Sequence, residues 1–184
     1  MKIPAQAKSV FKGEIFEVFQ WPQPLFDGSE ATFEMLKRAN TSQVIATRNG
    51  RIIIIEEEQP GKKYTGLFGG RQEVHETPLQ AAQRELVEEG GFTSADWELL
   101  TTYEPLGKIN WEINIFIARN VTANSTQKLD PGEKISFREV SFEEFLEMIF
   151  ENNQDFGQFA FDLLYWKFLQ PEKLAEFKQK LGLV

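Results

Sequence analysis

The sequence predicts an α/β or α+β domain in which a mixed sheet lies between helices. Two strand pairs built on Asp27-Gly28 and Asn49-Gly50 turns come first, one sharply capped helix starts at Thr77, and further strands then give way to helices. With 184 residues, 41% of them hydrophobic and 13% aromatic, the chain is long enough to bury a full core in one domain with a small appendage.

Ile15 to Trp21 and Ala31 to Leu36 are rich in β-formers and flank PQPLFDGSE, which predicts an antiparallel ribbon. Gln43 to Thr47 and Ile52 to Glu56 flank Asn49-Gly50, a dipeptide suited to the positive φ angles of a tight hairpin. Ile52 to Ile55 lacks polar alternation and is expected to be buried on both faces, with Gln59-Pro60-Gly61 breaking the strand. The first helix has Thr77 as N-cap, Pro78 where no N–H is needed, Gln80 in the capping-box position and Gly90-Gly91 as its stop. Strands are predicted over Glu98 to Tyr103, Glu112 to Ala118 and Lys134 to Val140, with a loop over Glu104 to Asn110. Ser141 and Glu144 form a second capping box, and Asp155 to Gln170 and Pro171 to Leu181 complete the helical C-terminal part.

Charge and composition exclude several functions. A net charge of −8 repels a phosphate-rich polymer, so general nucleic-acid binding is not expected. The absence of cysteine removes disulfides, thiolate metal sites and thiol nucleophiles, and the single histidine, His75, makes zinc a poor candidate. No apolar run is long enough for a signal peptide or a membrane span, so a soluble, cytoplasmic protein is expected.

The chemistry concentrates on the helix from Thr77 to Glu89. At about 100° per residue, Leu79, Ala82 and Leu86 point one way while Glu85, Glu88 and Glu89 share another face. Like charges at this spacing near a helix C-terminus are locally unfavourable, and a hard divalent cation would reverse the sign of that energy. Acidic helix faces are ordinarily solvated surface, which is the competing reading. Arg84, four residues before Glu88, either holds a carboxylate in place or serves structure alone. Gly69-Gly70-Arg71 lets backbone approach a ligand closely, and Arg71 is the basic residue best placed for a phosphate.

Gly70, Glu76, Arg84, Glu85, Leu86, Glu88, Glu89, Gly91 and Phe92 occur at the spacing G-x5-E-x7-R-E-U-x-E-E-x-G-U, with U bulky and apolar. In this the chain resembles the Nudix hydrolase family. The resemblance implies a Nudix-type α/β/α sandwich with a mixed sheet, in which loop, helix and loop hold Mg2+, or Mn2+ in its place, on a substrate pyrophosphate. It implies Glu85 and Glu89 as principal metal ligands, Glu88 as a further ligand or water-mediated partner, and the Gly69 carbonyl as another contact. Arg84 and Glu76 would orient these groups, and Gly70 and Arg71 would face substrate.

The wider chain resembles the ADP-ribose pyrophosphatase and nucleotide-sugar pyrophosphatase branch, through its N-terminal ribbon, the glycines before the box and LDPGEKISFREVSFEEF. That implies residues 1–40 as a dimerisation ribbon, 41–184 as the Nudix hydrolase domain, a homodimer, and Glu133 as general base with Asp130 in reserve. Phe68 and His75 stand where the family commonly has Pro and Gly, and EEEQPGKK and YEPLGK replace the branch's strand-end arginine and Ser-Pro-Gly loop. The expected activity is metal-dependent hydrolysis of a nucleoside diphosphate linked to another group, ADP-ribose or a nucleotide sugar. Cleavage of nucleoside triphosphates and ligand binding without cleavage are the alternatives. Trp111, Phe19, Trp21 and Phe26 are candidate base-stacking residues, and Arg51, Lys62 and Lys63 further phosphate candidates.

Overall fold

The computed structural model describes residues 2–104, 107–129, 131–151 and 153–183, the last with only the backbone of 153–155. In chain order the elements are β1 (Lys8–Lys12), β2 (Glu17–Pro24), β3 (Glu30–Lys37), β4 (Thr41–Arg48), β5 (Arg51–Gln59), β6 (Lys62–Gly66), β7 (Phe68–Arg71), α1 (Pro78–Gly90), β8 (Phe92–Thr93), β9 (Asp96–Tyr103), β10 (Ile109–Asn110), β11 (Ile113–Arg119), β12 (Thr122–Ala123), β13 (Lys134–Val140), α2 (Phe142–Glu151), α3 (Asn153–Leu169) and α4 (Pro171–Lys180). The main sheet runs β13-β5-β4-β11-β9, with β6 on β5 and β7 on β4. β4 and β11 are parallel and the other pairs antiparallel, the mixed sheet that the sequence predicts.

Asn49 and Gly50 adopt φ values of 53° and 72°, so the β4–β5 hairpin closes through the expected positive-φ pair. Beyond it, successive isoleucines face opposite layers. Ile52 and Ile54 join Ile45, Phe145, Phe159 and Phe177 against α2, α3 and α4, whereas Ile53 and Ile55 join Val44, Phe68, Ala82 and Leu86 under α1. All four isoleucines are at most 1% exposed, and burying each stabilises the fold by about 1.5–3 kcal/mol. Helices thus cover both faces of the sheet in three layers.

Some local expectations change. The N-terminal ribbon has a further strand, β1, and the predicted Glu104–Asn110 loop contributes β10, which pairs in parallel with β3. The α3 helix is interrupted at Gly157, whose φ of 56° and ψ of −138° lie outside helical space. Leu79, expected on the apolar side of α1, is 36% exposed, while Ala81 and Ala82 are fully buried and let the helix lie close to the sheet. Among the described residues no helix is long and apolar enough to cross a membrane.

Candidate active site

The site begins with the way α1 is started and stopped. Thr77 Oγ1 accepts from Gln80 N at 3.2 Å, and Gln80 Oε1 accepts from Thr77 N at 2.8 Å, completing the capping box. Gly91 ends the helix with φ 67°, and a Cβ there would meet Ser125 O at 2.3 Å. Between these limits the acidic face is not solvated surface. Glu85 and Glu89 are only 9% and 7% exposed, and Glu88 lies at the rim.

Arg84 fixes the surrounding chain. Its guanidinium grips Glu76 through Nε at 2.8 Å and Nη2 at 3.2 Å, reaches Glu85 and Glu88 through Nη1 at 2.9 Å each, and donates to the Arg71 carbonyl at 2.9 Å. Glu76 in turn accepts from Glu73 N at 2.9 Å, so one planar cation ties the loop to the helix. The Gly69 N–H donates to Glu89 Oε2 at 2.7 Å. Gly69 has φ 149°, and a Cβ would meet Ser42 O at 2.3 Å, because β7 is paired tightly along β4.

All of Gly69, Gly70, Arg71, Arg84, Glu85, Glu88, Glu89 and Glu133 line one cleft of about 670 Å³. Burial pushes the Glu89 carboxyl up to about 9, the Gly69 hydrogen bond opposes this, and the Glu85, Glu57 and Glu133 charges add to it. Glu85 is also raised, first by burial, with Arg84 opposing and Glu88 and Glu133 adding. Glu133 therefore acts on both buried carboxylates. Asp130 lies outside the described residues.

Among the described residues no three acidic or imidazole side chains are arranged to hold a metal ion unaided. Glu85 and Glu88 are instead drawn to Arg84, and Glu89 to the Gly69 N–H. The donor chemistry nevertheless fits a hard divalent cation. The donors are oxygens, and buried carboxylates that resist ionisation are stabilised in the charged form by such an ion. Arg84→Lys keeps the charge but loses the fork, and is expected to lower kcat/KM by about 30-fold and raise the Mg2+ requirement. Steady-state kinetics across an Mg2+ titration checks both.

Other residues fall differently. His75 is exposed with φ 75°, and it does not line the cleft. Trp21 is core at 3% exposure, Phe26 is fully exposed, and Lys37 lies over the Phe19 ring. Trp111 donates to Thr41 Oγ1 at 3.0 Å and carries the Arg38 guanidinium 4.2 Å above its ring. Arg51 pairs with Glu144, Lys63 pairs with Glu58, and Lys62 lies over the Tyr64 ring.

Sequence reasoning missed Arg38, whose Nε is buried without a hydrogen-bond partner and whose pKa falls through burial and the neighbouring Arg71 charge. It also missed Glu57, Gln59 and Tyr64 on the cleft wall. Strand alternation in Glu56-Glu57-Glu58 was the available signal for Glu57. The middle residue of three must face opposite its neighbours, and Glu57 is 3% exposed between two exposed glutamates.

Residues 36–162 match the family model described as NUDIX domain. The chain is 25% identical over 147 residues to the ADP-ribose pyrophosphatase of Bacillus subtilis (strain 168), covering 77% of this chain and 80% of that protein. It also superposes on a solved structure described as an ADP compounds hydrolase with a TM-score of 0.68, at 18% identity, over 90% of this chain and 95% of the other. With more than half its length inside the family match and the box residues Gly70, Arg84, Glu85, Glu88 and Glu89 lining the cleft, this chain belongs to the NUDIX domain family and is a Nudix hydrolase.

Proposed function

We propose that the chain hydrolyses the phosphoanhydride of a nucleoside diphosphate linked to another group, ADP-ribose or a nucleotide sugar, with Mg2+ as cofactor and Mn2+ as a substitute. The observation that carries this reading is the burial of Glu85 and Glu89 together in a cleft that also holds Arg71 and Glu133. The names of the relatives support the choice of an ADP compound.

Glu85 and Glu89 would hold the metal, joined by Glu88 and the Gly69 carbonyl. When bound, Mg2+ lowers the pKa of water and neutralises charge developing on the phosphates. Arg71, which lines the cleft, is the cation for the pyrophosphate, and the charge of Arg38, outside the cleft lining, acts on it. Glu133 orients the attacking water and accepts its proton as the oxygen bonds to phosphorus. The phosphorus–bridging oxygen bond then breaks, leaving a nucleoside monophosphate and a second phosphate product. Arg84 keeps Glu85 and Glu88 directed into the cleft.

Residues 1–40 would form a dimerisation element, supported by the exposed Val10, Phe11, Ile15 and Phe16 of the N-terminal ribbon. A cytoplasmic homodimer is the assembly that we propose, and a strictly monomeric mass by light scattering at micromolar concentration would remove it. For the activity, phosphate release coupled to a phosphatase is measured over ADP-ribose, ADP-sugars, dinucleotides and nucleoside triphosphates. Selective turnover of an ADP compound, with kcat at least about tenfold lower in Glu133→Gln, is expected. No turnover of any diphosphate derivative would overturn the reading.

A further inference from the structure

The cleft wall formed by β5 and β6 carries a charge that the phosphoanhydride chemistry does not use. Glu57 is 3% exposed, yet it is not in an ion pair among the described residues. Its Oε2 accepts from the Tyr64 hydroxyl and its Oε1 from the Gln59 side-chain amide, both neutral donors. Burying a carboxylate without a cation is costly, and neutral hydrogen bonds offset only part of that cost. Lys63 and Lys134 line the adjoining cavity beside Glu57, but Lys63 is paired with Glu58 and the Lys134 charge also acts on Glu58, so neither is paired with Glu57.

Glu57, Gln59 and Tyr64 all line the substrate cleft, and Glu57 and Tyr64 also line an adjoining cavity of about 460 Å³. The pair therefore stands between the pyrophosphate region and space that a terminal group can fill. Arg71, the cleft arginine assigned to the pyrophosphate, is on β7, which pairs with β4, whereas Glu57 is on β5 and faces β6. Phosphate and carboxylate thus have separate walls. Gln59 is exposed at the end of β5, so its amide is a movable cover occupying a position that a cation would take.

We propose that Glu57 is a specificity-determining residue that selects a substrate whose group beyond the second phosphate carries a protonated amine. An ammonium would displace the Gln59 amide and give Glu57 its counter-charge, while Tyr64 holds the other carboxylate oxygen. A neutral hydroxyl in the same place leaves the buried charge uncompensated. This inference rests on the phosphoanhydride reading and adds the chemistry of the terminal group.

The test uses two matched pairs that differ by ammonium for hydroxyl, ADP-glucosamine with ADP-glucose and ADP-ethanolamine with its ethylene glycol analogue, at neutral pH with Mg2+. The full-length enzyme is expected to favour the amine in at least one pair by about tenfold or more in kcat/KM. Glu57→Gln brings that ratio close to one, by lowering kcat/KM on the amine compounds far more than on their hydroxyl partners. Tyr64→Phe, which removes a donor but keeps the charge, retains the preference. Equal turnover within both pairs by the unmodified enzyme would overturn the proposal while leaving the hydrolase reading intact. A Glu57→Gln variant that lowers all four rates by the same factor, leaving the amine-to-hydroxyl ratio unchanged, would also overturn it, by assigning Glu57 to the metal or the fold.

Discussion

Glu89→Gln is expected to lower kcat by about 10³-fold, equivalent to about 4 kcal/mol of lost transition-state stabilisation, while leaving the fold intact. The substitution is isosteric, and its amide oxygen can still accept the Gly69 N–H that holds Glu89 at 2.7 Å. What disappears is an ionisable oxygen pair at 7% exposure, the group best placed to bind a divalent ion. Turnover of the ADP compound within tenfold of the unmodified enzyme would remove Glu89 from the metal site.

The same carboxyl makes metal-free stability depend on pH. Burial pushes the Glu89 carboxyl up to about 9 in the fold, well above the usual carboxylate range. The folded state therefore binds this proton more tightly than the unfolded state. That contribution is fully present below the unfolded value and is lost as pH rises through the folded value. Glu85 is shifted in the same direction. Thermal melts with chelator should show Tm falling by roughly 5 °C between pH 5 and pH 9, with most of the slope absent in Glu89→Gln. Mg2+, which binds the ionised form, is expected to flatten the slope in the unmodified enzyme. A slope unchanged by either would assign the pH dependence to other groups.

Most of the frame was legible because its signals are local. The Asn49-Gly50 hairpin, the Thr77–Gln80 box and the run from Lys134 to Val140 each depend on a few neighbouring residues, and each is where the sequence puts it. β10 was not legible, since two residues of a loop become a strand only because β3 offers them an edge. Within the site, the box glutamates were named from their spacing, but their burial was not, because it depends on how β7 and α1 close over one another. Arg38 and Glu57 were missed for the same reason. One owes its place to stacking on Trp111 across the fold, the other to a strand face whose partner, Tyr64, arrives from the next strand.

Gly69 and Gly70 show how closely that frame and the chemistry are joined, and alanine at each should give opposite results. At Gly70 the φ angle is ordinary, and an added Cβ would lie 2.2 Å from Glu85 Oε1 and 2.6 Å from its Cδ. The methyl therefore meets the end of a side chain, which can move, and stability should change by about 1 kcal/mol or less. Glu85 cannot then keep its place beside Arg84, so kcat/KM should fall by about 10²-fold with a higher Mg2+ requirement. At Gly69 the Cβ would meet backbone, Ser42 O at 2.3 Å and Gln43 Cα at 2.8 Å, with φ at 149°. Neither strand can yield without breaking the β4–β7 pairing, so Gly69→Ala should cost about 2 kcal/mol or more of stability. Denaturant melts and Mg2+ titrations on the two variants separate these effects. A Gly70→Ala enzyme with unchanged kinetics would mean that Glu85 can leave its position beside Gly70 without loss of activity.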